Sequence, residues 1–215
     1  DATGQKLEDA DVVVTRSYYQ PRLIPNAIEP RTVLAVPGPT GDLTLYAATQ
    51  IPHILRLLAA ATLGLSETKV RVVAPDVGGG FGSKLDVYAE DLLALALARR
   101  LDRPVKWTEE RSENYVATIH GRDFVTEYTL AATKDGTITH CRARVTAAMG
   151  AYLQLVTPGI PLLGAWIYAG PYAIPNYSVE FKGVFTNTTP TDAYRGAGRP
   201  EATYVIERTM DALAD

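Results

Sequence analysis

Three short segments of the chain hold residue types suited to gripping an anionic ligand. The first is Gly78-Gly79-Gly80-Phe81-Gly82-Ser83-Lys84, which joins a strand-like stretch to a helix-like one. Glycine lets backbone approach a ligand without Cβ clashes, and a helix start offers unpaired N–H groups and the positive end of the helix dipole. Ser83 with Asp86 is placed to cap that helix. The second segment is Ala193-Tyr194-Arg195-Gly196-Ala197-Gly198-Arg199-Pro200, also ahead of a helix. The third is Thr49-Gln50-Ile51-Pro52-His53, where Gln50 closes a strand and its amide can project into a site. Two glycine turns feeding helices, each with a basic residue, suit one anionic cofactor shared between them. Plainer readings stay open on residue type alone: tight strand–helix packing for the glycine run, surface salt bridging for Arg195 and Arg199.

Neither common phosphate signature fits. Walker A needs Gly-Lys followed by Ser or Thr, whereas the order here is Gly82-Ser83-Lys84-Leu85. The dinucleotide fingerprint G-x-G-x-x-G needs glycine at position 83, which is serine. Asp102 lies about 20 residues on, where a ribose-binding acid is expected, but it precedes a strand rather than ending one. A nicotinamide-dinucleotide dehydrogenase domain and a catalytically inert structural module therefore stand as alternatives to a cofactor site of another kind.

The elements that must position these segments read as mixed α and β. Residues 11–20 (DVVVTRSYYQ), 32–36, 43–48, 69–77, 105–108 and 179–186 are rich in β-branched or aromatic residues and predict strands. Residues 122–130 and 137–145 flank Lys134-Asp135-Gly136 and predict a hairpin. Residues 51–65 predict a helix with Ile54, Leu57, Leu58 and Ala61 on its buried face and Pro52 in the first turn. Residues 85–100 predict a helix apolar around most of its girth, hence buried between layers. Residues 199–214 predict a third, with Pro200 in its first turn. Strands and helices do not alternate regularly enough for a doubly wound sheet, so the fold class expected is α+β. One domain over residues 1–215 is expected, with any subdomain boundary near residues 105–122.

Composition narrows the function. The chain has 215 residues, 47% hydrophobic and 21% charged, with a formal net charge of −3. That is globular composition, and the lack of a basic tract argues against nucleic acid as a partner. A single cysteine, Cys141, excludes an internal disulfide and Cys-rich zinc sites. His120 and His140 are read as hydrogen-bonded or exposed rather than as metal ligands. Residues 145–179 hold no charged side chain, but Pro158, Pro161, Pro171 and Pro175 break the run, so no membrane span is expected. Irregular backbone packed inside protein, lining a pocket or facing another domain, is the expectation, beside an ordinary crossing of the core. Beginning at Asp1 without a methionine and closing within a helix, the chain is expected to be a piece of a longer one.

The three segments in this order, with the string VVAPDVGGGFGSK, the pattern NAIEPR, and NTTPTDAYRGAGRPEATYVIER, resemble the molybdopterin-binding large subunit of the molybdenum hydroxylases, the superfamily of xanthine dehydrogenase, aldehyde oxidase and CO dehydrogenase. The joint occurrence of TQ-x-P, GGGFG-x-K and YRGAGRPE carries the resemblance, which covers essentially the whole chain. It implies the first part of a molybdopterin-binding domain, with mixed sheets and packed helices. It also implies a molybdenum–pyranopterin cofactor, either molybdopterin or its cytosine dinucleotide. Gln50 would approach an oxo group on the metal. Gly80, Phe81 and Gly82 would flank the cofactor, and Arg195 and Gly196 would lie beside it. The pterin dithiolene holds the metal, so no protein ligand is expected. The implied chemistry is oxidative hydroxylation with oxygen from water, electrons leaving through iron–sulfur and FAD subunits or domains in a cytoplasmic enzyme. The family's general-base glutamate belongs to the remaining half of the subunit, beyond Asp215, so this chain alone is expected not to turn over.

Departures from relatives shape the substrate expectation. Leu85, Leu163 and Ala197 stand where purine-oxidising members place a glutamate, an arginine and a phenylalanine, leaving an apolar pocket that disfavours purines. Gly196 stands where copper-containing CO dehydrogenases carry cysteine, so the loop resembles that of second-form CO-dehydrogenase-like subunits. An aldehyde or a neutral N-heterocycle is the expected small-molecule substrate.

Overall fold

The computed structural model describes Leu7 and residues 10–215. These form two compact units. One comprises residues 24–119; the other joins the segment ending at Leu23 to residues 120–215.

Residues 24–119 form a four-stranded mixed sheet in the order β4-β3-β2-β5. Its strands are β2 (Thr32–Pro37), β3 (Leu43–Ala47), β4 (Val70–Val73) and β5 (Val105–Thr108). β2 is antiparallel to β3 and to β5, while β3 runs parallel to β4. The parallel pair needs a crossover, which α1 (Pro52–Leu63) supplies. α1 opens with Pro52 and stops at Gly64, whose φ of 62° is left-handed, as glycine allows. α2 (Ala89–Leu101) packs on the same sheet, and α3 (Arg111–Ala117) closes the unit. The core joins Val33, Ala35, Leu43 and Leu45 of the sheet to Leu55, Ala59 and Ala60 of α1 and Ala94, Leu95 and Ala98 of α2.

Both helices correct the expected faces. On α1, Ile54, Leu57 and Leu58 are exposed, and Ala61 is too, whereas Leu55, Ala59 and Ala60 are buried. The helix is apolar on more than one side, and small alanines let its backbone come closest to the sheet. On α2 only one side is buried; Leu93, Leu97 and Leu101 are exposed. α2 also starts at Ala89 rather than 85. Asp91 accepts a hydrogen bond from the Tyr88 N–H at 3.0 Å and so caps the helix, while Ser83 Oγ donates instead to Gly80 O at 2.9 Å.

The other unit is a four-stranded sheet in the order β1-β6-β7-β8. Its strands are β1 (Val12–Gln20), β6 (Phe124–Ala132), β7 (Ile138–Gly150) and β8 (Asn176–Phe185). β1–β6 and β6–β7 are antiparallel; β7–β8 is parallel. The β6–β7 turn uses Gly136 at φ 86° after Lys134-Asp135, as the hairpin signal predicts. α4 (Gly159–Ala165) and α5 (Arg199–Ala214) complete it, with Ile160, Tyr168, Ala202, Val205 and Ile206 joining Tyr128, Leu130, Cys141 and Val145 in the core. The charge-free stretch is divided between the end of β7, irregular backbone, α4, turns and the start of β8. A distant residue anchors part of its irregular backbone: Asp192 accepts from Val156 N at 3.0 Å and from Thr157 Oγ1 at 2.9 Å. No helix among the described residues is long and apolar enough to cross a membrane.

Candidate functional site

Gln50 follows β3 and immediately precedes α1, and the glycine run folds back over it. Its main-chain N–H donates to Lys84 O at 2.8 Å. Its side-chain Oε1 accepts from Gly82 N at 3.0 Å and from Lys84 N at 3.3 Å. Two backbone donors on one terminal atom identify that atom as the oxygen. The –NH2 group is therefore the end of the exposed side chain left to donate to a ligand, and it suits an acceptor such as an oxo oxygen. Gly80 is the position that permits this contact, because a Cβ there would overlap Gln50 Oε1.

The loop itself is tightly wound. Ser83 N and Leu85 N close turns onto Gly80 O at 2.9 Å and Gly82 O at 3.0 Å. Phe81 has a φ of 53° and is 45% exposed, and Gly82 has a φ of 108°. A bulky residue held in the left-handed region is uncommon and tends to occur at functional sites. Because α2 begins only at Ala89, the glycine run does not open directly into a helix. The donors here are thus a side-chain amide and loop amides, not the helix start expected from the sequence.

Behind the loop stands a set of charged residues, and in it Lys84, the basic residue expected to serve an anionic ligand, donates to a carboxylate of this chain instead. Glu29 Oε2 accepts from Lys84 Nζ at 2.7 Å and from Gly78 N at 2.8 Å, tying both ends of the glycine run to the Asn26–Pro30 segment. Burial works to raise the Glu29 carboxyl, but the Lys84 and Gly78 hydrogen bonds outweigh it and hold the group below the usual carboxylate range. The Lys84 side chain is only 1% exposed, so its charge relies on that partner. Next to this, Arg31 meets the fully buried Glu109 at 2.7 Å and Glu90 at 3.0 Å, and lies 3.9 Å from the Tyr88 ring centroid. Burial opposes the Arg31 charge, yet the two glutamates raise its pKa above the ordinary value. Tyr88 in turn donates from its hydroxyl to Ser83 O at 2.7 Å.

The second glycine turn lies in the other unit. It has three successive left-handed residues, Gly196, Ala197 and Gly198, with φ of 99°, 45° and 85°. Ala197 N donates to Tyr194 O at 2.9 Å and Arg199 N to Gly196 O at 3.2 Å, so two turns lead straight into α5. α4 packs on this turn through glycine: Gly198 has no room for a Cβ against Ile160 O, and a Cβ at Gly164 would meet Gly198 O at 3.2 Å. Asp192, just ahead of the turn, is anchored in the 154–157 backbone. Burial pushes its carboxyl upward, while hydrogen bonds from Ala193, Val156 and Thr157 act against the shift.

Residues 2–215 match the molybdopterin cofactor-binding domain family model. The chain belongs to that family. Among curated relatives, it is 41% identical to the carbon monoxide dehydrogenase large chain of Hydrogenophaga pseudoflava, over 99% of this chain and 27% of that protein. Among solved structures, reconstituted CO dehydrogenase from Oligotropha carboxidovorans superposes with a TM-score of 0.90 at 35% identity, covering 99% of this chain and 27% of that one. Aldehyde oxidoreductase from Desulfovibrio gigas superposes with a TM-score of 0.91 at 29% identity, over 100% and 23%. The chain thus spans about a quarter of the length of these relatives. It has the α+β fold of the molybdopterin-binding domains of molybdenum hydroxylases, and the relatives are molybdenum-dependent oxidoreductases. A mixed sheet with antiparallel β2–β3 and β2–β5 pairs is not the doubly wound sheet of a dinucleotide-binding domain.

The structure brings together Gln50, Gly80 and Gly82 by direct contact, with Phe81 and Leu85 on the same loop. In the other unit it joins the turn holding Arg195, Gly196 and Ala197 to α4, which carries Leu163. Among the described residues no group of three His, Cys, Asp or Glu is placed to hold a metal ion. The charged residues to which the sequence assigned no role are Glu29, Arg31, Glu109 and Glu201, while Lys84, expected to serve an anionic cofactor, is instead buried against Glu29. Their signal was a charged residue inside an otherwise apolar or glycine-rich motif, as in NAIEPR, GGGFGSK and GRPEA.

Proposed function

We propose that this chain supplies part of the binding site for a molybdenum–pyranopterin cofactor in an oxidoreductase that hydroxylates an aldehyde or a neutral N-heterocycle. The observation that carries the reading is the orientation of Gln50: its oxygen is consumed by loop amides, so its –NH2 donates outward. That donor chemistry fits an anionic, oxo-bearing group already chelated by its own dithiolene, either molybdopterin or its cytosine dinucleotide. When bound, the group supplies the redox chemistry of hydroxylation, with water as oxygen source and iron–sulfur and FAD partners as electron outlets.

This chain's residues bind and orient. Gln50 Nε2 donates to an oxo acceptor, and the Gly80–Phe81–Gly82 backbone forms a wall that side chains at 80 or 82 would obstruct. Arg195 and Gly196 are the residues of the other unit that the resemblance assigns to cofactor binding, on their own turn. Leu85 in one unit, and Leu163 and Ala197 in the other, are apolar at positions the resemblance assigns to substrate, so neither unit offers there a charged side chain to hold purine oxygens. Gly196 offers no thiolate for a copper ion, so the relatives' CO chemistry is not assigned here. The general base is assigned by the resemblance to a glutamate in the part of the subunit outside this chain, which in the relatives is about three quarters of the length rather than half, and the isolated chain does not turn over. The setting is cytoplasmic.

The test is made on the cofactor-loaded full-length subunit. Gln50→Ala is expected to lower turnover of an aldehyde panel strongly, and Gly82→Val to lower molybdenum content as well. Normal molybdenum and normal turnover in Gly82→Val would overturn the placement.

A further inference from the structure

We propose that Arg122 is a positioning residue for the 194–198 turn: pinned by the buried carboxylate of Glu201, its guanidinium grips the two carbonyls that set the turn's shape. The inference rests on the reading that this turn borders the cofactor.

The contacts are specific. Arg122 Nη1 donates to Tyr194 O at 3.1 Å and to Glu201 Oε1 at 2.8 Å. Nη2 donates to Arg195 O at 3.2 Å. The guanidinium carbon lies 4.7 Å from the Tyr194 ring centroid. One planar fork therefore holds two successive carbonyls and the ring of the residue that opens the turn. Gly121 makes the approach possible, since a Cβ there would overlap the Tyr194 Cβ.

The turn needs such a brace. Three consecutive left-handed residues, of which Ala197 is not glycine, persist only where surrounding contacts over-determine them. Arg122 and Asp123 are themselves left-handed, at φ 65° and 68°, and Asp123 is fixed by Arg22 at 2.9 Å. Strained backbone on both sides of the contact is thus locked by two arginines. Glu201 sits in the first turn of α5, is 1% exposed, and its Oε2 is buried with no hydrogen-bond donor. Its charge therefore leans on Arg122, and the guanidinium is held in place in return.

Lysine would keep the ion pair with Glu201, but a single ammonium on a flexible stem does not reproduce the fork that spans both carbonyls. That separates positioning from mere charge compensation. In the cofactor-loaded full-length subunit, Arg122→Lys is expected to stay folded, lowering the thermal midpoint of the cofactor-free protein by no more than roughly 2–4 °C, the loss of one hydrogen bond. Molybdenum retained per subunit should fall about tenfold, the worth of one hydrogen bond from a charged donor. The double variant Arg122→Met with Glu201→Gln removes the unpaired carboxylate and carries the test if Arg122→Lys fails to fold. It is expected to fold and still lack molybdenum. Normal molybdenum content in either variant overturns the proposal. Gly196→Ala distorts the turn directly, through Pro200, and serves as the control. If Gly196→Ala loses molybdenum while Arg122→Lys keeps it, the positioning role alone fails. If Gly196→Ala keeps its molybdenum, the turn does not border the cofactor and the functional reading fails with it.

Discussion

Replacing Gly80 by alanine probes the contact on which the glycine loop depends. The added Cβ would overlap Gln50 Oε1, the far end of a flexible side chain. Swinging that side chain away relieves the overlap, but it gives up the hydrogen bonds from Gly82 N and Lys84 N. Two such bonds are worth roughly 1–3 kcal/mol together. Gly80 lies outside the left-handed region, so alanine also stiffens the unfolded chain and returns about 0.4–1 kcal/mol. The net loss is about 1–2 kcal/mol, or a fall in Tm of roughly 2–8 °C for a chain of this size. Thermal unfolding followed by circular dichroism measures it. The decisive comparison is a double-mutant cycle with Gln50→Ala. Once the glutamine is truncated, the methyl group has space and there are no side-chain bonds left to lose. The second substitution should then be neutral or slightly stabilising. A Gly80→Ala penalty of the same size in both backgrounds would refute the reasoning.

Other expectations follow from the buried charges and the second turn. Glu109→Gln leaves the Arg31 guanidinium without its closest counter-charge and should cost about 3–5 kcal/mol, read by urea denaturation; a loss under 1 kcal/mol would mean that Glu90 alone suffices. Asp91 is raised by burial to about 6, against the opposing Tyr88 hydrogen bond and Arg31 charge. The folded chain then holds a proton that the unfolded chain releases near pH 4, so this contribution to stability is complete below pH 4 and is lost as pH rises through 6. Asp91→Asn should reduce the fall in stability between pH 4 and 7 by about 3 kcal/mol, and an unchanged slope would contradict the assignment. Gly198→Ala places a Cβ against the Ile160 carbonyl, which is backbone and cannot swing aside. It should destabilise the 120–215 unit by more than Gly80→Ala destabilises the other, as thermal unfolding would report.

The strand and helix pattern was legible where local chemistry decides it. Lys134-Asp135-Gly136 is a hairpin turn because glycine takes the left-handed position, and Pro200 marks the first turn of α5. The faces of α1 and α2 were not legible. Both helices are apolar on more than one side, and periodicity does not say which side a sheet selects. The start of α2 was misplaced because Lys84 is held by backbone bonds to Gln50, 34 residues away, while Leu85 N and the Tyr88 hydroxyl turn back onto Gly82 O and Ser83 O; no local propensity encodes the Gln50 contact. Gln50, Gly80 and Gly82 stood out by residue type and by resemblance. Their mutual contact, and hence which end of the Gln50 amide is free, required three dimensions. Glu29, Arg31, Glu109, Arg122 and Glu201 look like surface charges in a sequence; their pairing, and the burial of Arg31, Glu109 and Glu201, comes from partners 49 or more residues away.

Anomalous diffraction at the molybdenum edge, from crystals of the loaded full-length subunit, would show whether Gln50 and the glycine loop meet a molybdenum cofactor. A single metal peak is expected beside the Gln50 side-chain amide and the Phe81–Gly82 backbone, with Nε2 rather than Oε1 facing it. A metal peak remote from Gln50, or a loaded enzyme in which Gln50 Oε1 faces the metal, would contradict this placement.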